Sequence, residues 1–484
     1  MASGLLTVEK PPPALAFLSG ICEANSIKHE ILDLNIYIRN ALGEDQWNQA
    51  YTMFTSLEQF ENNELLDNID LILDSAVDTV LAMSADLIAI TVFSYQQIQL
   101  TGRFLTKLKY KSSTPVIAGG PGISYEFESN ITAGKMFLEK NLIDYYVLGE
   151  GEYVLDQFLK GHEEIGLNSK SNPHESWALQ IDNLDDCVLP TYKNINFDNY
   201  NPGLNLTHSI SLTGSRGCVR RCTFCDVGHI WKKFRFRSAD NIVLELTKHI
   251  EETGITQFWF TDSLINGSLK QFTDLIKKLA ELRKNNIMFR DIKYTGQFII
   301  RSAVQHKEEL YKLMNESGCH NIIVGVETGS DKVRFHMGKK FTNEDLDYHL
   351  EMCSKYKIKN TLLMFTGYPT ETLEDHEDTL LMFKRYQKYL LDETVINVTL
   401  HQPFVLLKNT PIDAMKHEVG IVNETYNTYF FDVTTNPDFT VKERFRRYIE
   451  LSKLVLDLKY PGSWGDLSSL SDHINALKNF NKVS

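Results

Sequence analysis

The run His208-Ser-Ile-Ser-Leu212-Thr-Gly-Ser-Arg-Gly-Cys218-Val-Arg-Arg-Cys222-Thr-Phe-Cys225 joins a strand-like apolar segment to a glycine-broken turn and then to three cysteines within eight residues. Working outward, strand-like runs recur near Gln257 to Thr261, Ile292 to Ile300, Asn321 to Val326, Thr361 to Phe365 and Val395 to Leu400. Patterns with helical spacing lie between them, at Ala239 to Glu252, Leu269 to Arg283, Lys307 to Asn315, Asn343 to Tyr356 and Leu373 to Tyr389. Six strands separated by helices predict an open or partial βα barrel, short of the eight of a closed one. The cysteines then sit on the first βα loop, at the C-terminal mouth where barrel sites lie.

Upstream, the pattern is also α/β. Ala14 to Asn25 and Gln97 to Tyr110 read as helices; Leu87 to Phe93, Pro115 to Ala118 and Tyr145 to Leu148 read as strands, the last two stopped by Gly119-Gly120 and by Gly149 and Gly151. Strands that end at glycines and hand over to helices predict a doubly wound, Rossmann-like domain. The expected organisation is a first domain over 1–165, a linker over 166–205, the barrel over 206–410, and a small, mostly helical C-terminal region over 411–484. The C-terminal stretch Tyr460-Pro-Gly-Ser-Trp464 is expected to lid the barrel mouth.

Composition narrows the function. With 484 residues, 43% hydrophobic and 23% charged, the chain is that of a globular protein of two or three compact units. Lys and Arg number 50 against 63 acids, a net charge of -13, which disfavours a surface built mainly to grip nucleic-acid phosphates. A local basic patch is still compatible with this charge, and the stretch Lys232-Lys-Phe-Arg-Phe-Arg237, interleaved with aromatics, admits either nucleic-acid contact or a structural role. No apolar run approaches the roughly 20 residues that span a bilayer. Met1 to Pro13 has neither the basic start nor the apolar core of a secretion signal, so a reducing cytoplasm is expected and the seven cysteines are thiols or ligands. Cys319 and Cys353 are expected in the core.

The spacing of Cys218, Cys222 and Cys225 admits two metal readings. Three thiolates can hold a four-iron cluster at three corners, leaving the fourth iron open to a substrate or cofactor. Alternatively His229 completes a tetrahedral zinc set and the site is a metal-stabilised, non-catalytic binding module. Three buried structural thiols are the blandest alternative, poorly suited to a loop led by Gly214-Ser-Arg-Gly217.

The cysteine run, with Phe224 just before its third cysteine, resembles the signature of the radical S-adenosylmethionine (SAM) superfamily. The likeness extends to Phe258-Trp-Phe-Thr-Asp262, Gly325-Val-Glu-Thr-Gly-Ser-Asp331 and Gly367-Tyr-Pro-Thr-Glu371. Pro11-Pro-Pro-Ala-Leu-Ala-Phe-Leu18, Ala118-Gly-Gly-Pro121, Val147-Leu-Gly-Glu-Gly-Glu152 and Leu184-Asp-Asp-Cys-Val-Leu-Pro190 resemble the branch with an N-terminal cobalamin-binding-type domain.

The resemblance implies that Cys218, Cys222 and Cys225 ligate a [4Fe-4S] cluster whose open iron chelates SAM, and that cleavage of SAM yields a 5′-deoxyadenosyl radical. It implies that Phe224 lies by the adenine, that Glu327 faces SAM and that Lys339 pairs with the SAM carboxylate; the bland alternatives are a helix N-terminal acid and a solvated lysine beside Lys340. Asp262, Gln297 and Arg301 are candidates for substrate or cofactor contact, or else satisfied structural groups. Gly325, like Gly329, is a candidate cofactor contact or a plain turn. Gly119, Gly120, Gly149 and Gly151 fit backbone close to a flat cofactor or simple strand-to-helix turns.

One part of the pattern is missing. Familiar cobalamin domains offer a histidine from an Asp-x-His-x-x-Gly loop, and no such string occurs; His29, His162 and His174 precede the barrel in other contexts, and the first strand looks short or absent. Cobalamin is then either bound without a protein histidine or lost from a domain that keeps only the fold. The expected activity is methylation or another radical modification of an unactivated carbon in a small-molecule or peptide substrate, with an electron donor such as flavodoxin or ferredoxin as partner. Without cobalamin the expectation becomes a radical rearrangement or oxidation.

Overall fold

A computed structural model of the chain describes residues 9–55, 63–127, 131–162, 164–172, 174–200, 208–400, 402–425, 429–436 and 439–461. The chain divides into two compact units, Met1–Ser211 with Leu244–Gln257, and Leu212–Val243 with Phe258–Ser484.

The first unit is built on a four-stranded sheet in the order β1 (Ile88–Thr91), β2 (Val116–Gly119), β3 (Tyr145–Val147), β4 (Leu167–Ser169). β1, β2 and β3 run parallel, and β4 returns antiparallel along β3. The β2 run Val-Ile-Ala-Gly is buried along its first three residues, as expected of a strand covered on both faces by helices. Ile38, Ile69, Leu73, Leu105, Val116 and Phe137 pack in its core. Ile98–Lys111 and Pro13–Ala24 lie where helical spacing places them. Helices Leu34–Leu42, Glu44–Thr55 and Asn63–Ala82 fill the stretch between Ala24 and β1, where the sequence reading names no element.

The stretch expected as a linker behaves differently from a tether. β4 belongs to the first sheet, and Glu252 accepts bonds from Thr191 Oγ1 at 2.8 Å and from the Tyr192 amide at 3.0 Å. Residues 166–200 are therefore part of the first unit's packing, and residues 411–461 are grouped with the second unit rather than apart from it.

The second unit carries six strands in the order β12-β11-β10-β9-β8-β5: β5 is Ile210–Leu212, β8 Gln257–Phe260, β9 Lys293–Phe298, β10 Cys319–Glu327, β11 Lys359–Met364 and β12 Val395–Thr399. β9 through β12 pair in parallel, each joined to the next by a helix. Two small ribbons complete the strands, β6 (Ser215–Arg216) with β7 (Arg235–Phe236), and β13 (Ile421–Val422) with β14 (Asp432–Val433). The order is that of an open partial barrel read out in sequence. Helix starts are set locally: Ser268, Thr342 and Thr372 each accept a backbone amide at the N-cap, the last two in reciprocal capping boxes. Cys319 and Cys353 are buried in the core.

Candidate functional site

Cys218, Cys222 and Cys225 occupy the irregular loop between β6 and a short helix, Val227–Ile230; all three are free thiols and half-buried. The loop is clamped at both ends. Behind it, the β6/β7 ribbon places the guanidinium carbons of Arg216 and Arg235 5.8 Å and 5.5 Å from the centre of the Trp231 ring. Gly217 turns the chain with φ +87°, and a side chain there would meet the Lys233 carbonyl oxygen at 2.6 Å. Ahead of it, the Thr223 amide donates to Met337 O at 3.0 Å, and Thr223 O accepts from the Ile412 amide at 2.8 Å. The Thr223 hydroxyl bonds Tyr368 Oη at 2.7 Å, which bonds His336 Nδ1 at 2.9 Å. Tyr368 belongs to the Gly367-Tyr-Pro-Thr-Glu371 segment, but no spacing in the sequence ties that segment to the cysteine loop.

Burial raises the pKa of all three thiols, that of Cys225 to about 11, while the Lys339 ammonium opposes the shift at Cys218 and Cys222. The bare site therefore holds neutral thiols, and a thiophilic metal group binds by displacing their protons. This donor set fits an iron-sulfur cluster, whose thiolates are distributed over separate irons. It does not assemble the zinc alternative: His229 is exposed on its short helix, and among the described residues no three His, Cys, Asp or Glu side chains come together as a single-ion site.

Glu327 and Lys339 meet. Glu327 ends β10 at a register shift against β11 and holds φ +66°, a left-handed conformation that a residue with a side chain adopts only when its surroundings impose it. Its Oε1 accepts from Lys339 Nζ at 2.6 Å, both side chains largely shielded from solvent. The ammonium lies 5.4 Å from the centre of the Phe224 ring. Burial alone lowers the Lys339 pKa, but Glu327 and the nearby thiols outweigh it and the net shift is upward. Gly325 is required by this pair, since a Cβ there would fall 2.3 Å from Glu327 Oε1 and 2.5 Å from Lys339 Nζ. Gly329 serves packing: its Cβ would meet the Asp378 carbonyl oxygen and Thr379 Cα, each at 2.6 Å.

The other candidates are placed as follows. Asp262 is buried just past β8, its Oδ2 accepting the Gly214 amide at 2.8 Å, and burial raises its pKa to about 7. Gln297 is exposed in β9. Arg301 donates through Nη2 to the carbonyls of Asn266 at 3.2 Å and Gly267 at 3.0 Å, leaving its buried Nε without a hydrogen-bond partner. In the first unit, Gly120 (φ +99°) would place a Cβ 2.5 Å from the Val92 carbonyl oxygen, and Gly149 (φ +86°) is also left-handed. Gly119 ends β2, where a Cβ would only touch Val147 Cβ at 4.0 Å, and Gly151 begins the helix Gly151–Leu159. The three histidines stand elsewhere: His29 bonds Ser19 Oγ at 2.5 Å, His162 bonds Gln157 Oε1 at 3.0 Å, and His174 is exposed. Of the expected lid, Gly462, Ser463 and Trp464 lie outside the described residues.

A family model described as "Radical SAM superfamily" matches residues 212–383. An uncharacterized methyltransferase of Pyrococcus horikoshii is 26% identical over 300 residues, 60% of this chain and 61% of that protein. The cytidylyl-2-hydroxyethylphosphonate methyltransferase of Streptomyces wedmorensis is 28% identical over 189 residues, 37% of this chain and 33% of that protein. The chain thus spans less than two thirds of the length of either relative. Among solved structures, the radical SAM methyltransferase TsrM of Kitasatospora setae, described with tryptophan substrate and a SAM analogue bound, matches with TM-score 0.62 at 17% identity, over 92% of this chain and 86% of that one. The cobalamin-dependent SAM radical enzyme OxsB, described with aqua-cobalamin bound, matches with TM-score 0.58 at 18% identity, over 78% and 60%. At such identities the likeness is one of fold. No helix among the described residues is long and apolar enough to cross a membrane.

Proposed function

We propose that this protein, whose residues 212–383 match the radical SAM family model, is a radical SAM enzyme that binds one [4Fe-4S] cluster through Cys218, Cys222 and Cys225 and modifies an unactivated carbon of a small-molecule or peptide substrate. The observation that carries the reading is the placement of three free, half-buried thiols on the first βα loop beside the buried Glu327–Lys339 pair. When bound, the cluster and SAM supply a reductive one-electron cleavage that releases a 5′-deoxyadenosyl radical. The chain's own residues hold and enclose. Phe224 offers a ring face to the adenine, Lys339 a cation to the SAM carboxylate, and Glu327 keeps that cation charged and aimed. The clamp through Thr223, Tyr368 and His336 fixes the loop so that the open corner keeps one orientation.

Methyl transfer is the reaction we favour, with cobalamin held by the first unit without a protein histidine. Of the glycines at the strand ends of that unit, Gly149 is exposed and leaves backbone that a flat ligand can approach, whereas Gly120 is required by its contact with the Val92 carbonyl. The described residues of this unit contribute three parallel strands and no Asp-x-His-x-x-Gly loop, which favours a second reading in which the vitamin is absent and the radical starts a rearrangement or oxidation. A reducing cytoplasm suits either reading, because free thiols and iron-sulfur groups persist there.

Anaerobic reconstitution with iron and sulfide tests the proposal. The expected protein is brown and converts SAM to 5′-deoxyadenosine; a colourless protein that retains zinc and leaves SAM intact overturns it. Cobalt content after expression with cobalamin supplied separates the two reactions.

A further inference from the structure

Arg301 stands just past the end of β9, at the mouth of the barrel, with its guanidinium only partly engaged. Nη2 is held by the Asn266 and Gly267 carbonyls, while the buried Nε has no hydrogen-bond partner among the described residues. A second guanidinium approaches from the cysteine loop. Arg220, between Cys218 and Cys222, also keeps a buried Nε without a partner, and its charge joins burial in lowering the Arg301 pKa. No carboxylate bears on Arg301. The deeply buried arginines of the same unit are compensated: Asp331 pairs with Arg334, Glu371 with Arg447, and Asp432 and Glu371 bear on Arg444. Two like charges brought together at a rim without an acid destabilise the fold unless an anion joins them.

The cations that bear on Cys218 are Lys339 and Arg220, so Arg220 links the cysteine loop to Arg301. Below Arg301 the barrel wall is polar but uncharged. Gln297 is exposed on β9, and its neighbour Phe298 packs on Phe272 of the covering helix Leu269–Asn285, which turns Gln297 toward the inside. The sheet register continues from Gln297 through Ile323 and Thr361 to Asn397, whose Oδ1 is buried and has no partner among the described residues.

We propose that Arg220 and Arg301 hold an oxyanion of the substrate, a carboxylate or a phosphoryl group, and that the uncharged remainder of the substrate lies along the row from Gln297 to Asn397. The proposal rests on the functional reading above and names the substrate class for it: an acid with a neutral, polar body. A guanidinium fork matches either oxyanion. Each unpartnered Nε gains an acceptor, and the repulsion between the two cations becomes joint attraction for one anion. The site is separate from Lys339, whose cation is already assigned to the SAM carboxylate and already paired with Glu327.

Calorimetric titration of the full, reconstituted chain with inorganic phosphate and with acetate, at constant ionic strength, tests this. The variants are Arg301→Gln, Arg301→Lys, Arg220→Gln and, as a control for general surface charge, the double variant Lys232→Gln, Lys233→Gln. We expect the wild type to bind one anion per chain saturably, the tighter of the two probes telling a phosphoryl from a carboxylate substrate. Affinity is expected to fall about tenfold in Arg301→Gln and in Arg220→Gln, to fall less in Arg301→Lys, which keeps the charge without the fork, and to hold in the lysine double variant. Arg301→Lys and Arg220→Gln keep the test decisive if Arg301→Gln does not fold. No saturable binding of either probe, wild-type affinity in the arginine variants, or an equal loss in the lysine double variant overturns the proposal. So does a loss of iron or of SAM affinity in Arg301→Gln, which assigns the arginine to the cluster or to SAM. If the wild type takes up no cluster, the enzyme reading fails, and the same titrations of the metal-free chain still decide the anion site.

Discussion

Lys339 Nζ lies 2.6 Å from Glu327 Oε1 and 5.4 Å from the centre of the Phe224 ring, so a shielded ion pair sits directly against the cysteine loop. Twelve residues separate the pair in the chain. Removing the cation leaves Glu327 shielded and unpaired, which costs far more than a surface pair does. Lys339→Met is expected to weaken SAM binding about tenfold, about 1.4 kcal/mol, with Lys339→Arg keeping most of the affinity. Equilibrium dialysis of labelled SAM against reconstituted protein measures this; equal affinity in the Met variant removes Lys339 from the SAM site.

The metal assignment divides cleanly between two side chains. Cys222→Ala is expected to lose the iron-sulfur chromophore and SAM cleavage, because one corner of the cluster loses its thiolate. His229→Ala is expected to keep both, its imidazole being exposed. Iron and zinc content by elemental analysis, read beside the visible spectrum, checks the pair; metal lost from the histidine variant supports the zinc alternative.

Asp262 makes a pH prediction. Burial raises its pKa to about 7, above its value in the unfolded chain, so between about pH 4 and pH 7 the folded protein holds a proton that the unfolded chain has released. Its stabilising contribution is complete at the acidic end of that window and is lost as pH rises through about 7. Urea midpoints of the metal-free protein are expected to fall across this range, and Asp262→Asn to flatten the fall. A variant with the wild-type slope assigns the effect to other groups.

Arg447 reaches back from the helix Val441–Asp457 to Glu371, its Nη1 donating to Glu371 Oε1 and to the Glu371 carbonyl, each at 3.1 Å, both residues being buried. Glu371 accepts the Gly367 amide at 3.2 Å, so the pair ties this helix to the turn that carries Tyr368. Burial raises the Glu371 pKa to about 7 against the opposing pull of Arg447. Arg447→Ala is therefore expected to cost about 3 kcal/mol at pH 8, the loss shrinking in acid where Glu371 is protonated. Denaturant unfolding at pH 5 and pH 8 reads the difference. An equal loss at both values contradicts the role given to the carboxylate.

Much of this was legible in linear order. The six strands of the second unit follow β-branched runs bounded by glycine or polar breaks, and β10, with Ile322, Val324 and Val326 buried, is the kind of strand a hydrophobic run announces by itself. The cysteine spacing marked a metal site, because coordination demands that residue type at short range, while leaving an iron-sulfur cluster and zinc both open. Helices Glu44–Thr55 and Asn63–Ala82 were harder to see, lying in a stretch whose motifs match none of those the reading relied on. The sheet role of Leu167–Ser169 was hidden for another reason: three residues are too few to show a period, and pairing with β3 supplies the hydrogen bonds that make them a strand.

Residue types and short spacings thus carried the fold class and the three thiols, since local periodicity and ligand chemistry are written in neighbouring positions. Long-range closure settled the rest: that Lys339 lies on Glu327 rather than in solvent, that two guanidiniums approach the Trp231 ring, and that Tyr368 ties Thr223 to His336. Those arrangements depend on a left-handed turn at Glu327 and on segments more than a hundred residues apart meeting in space, and neither leaves a trace in composition or period.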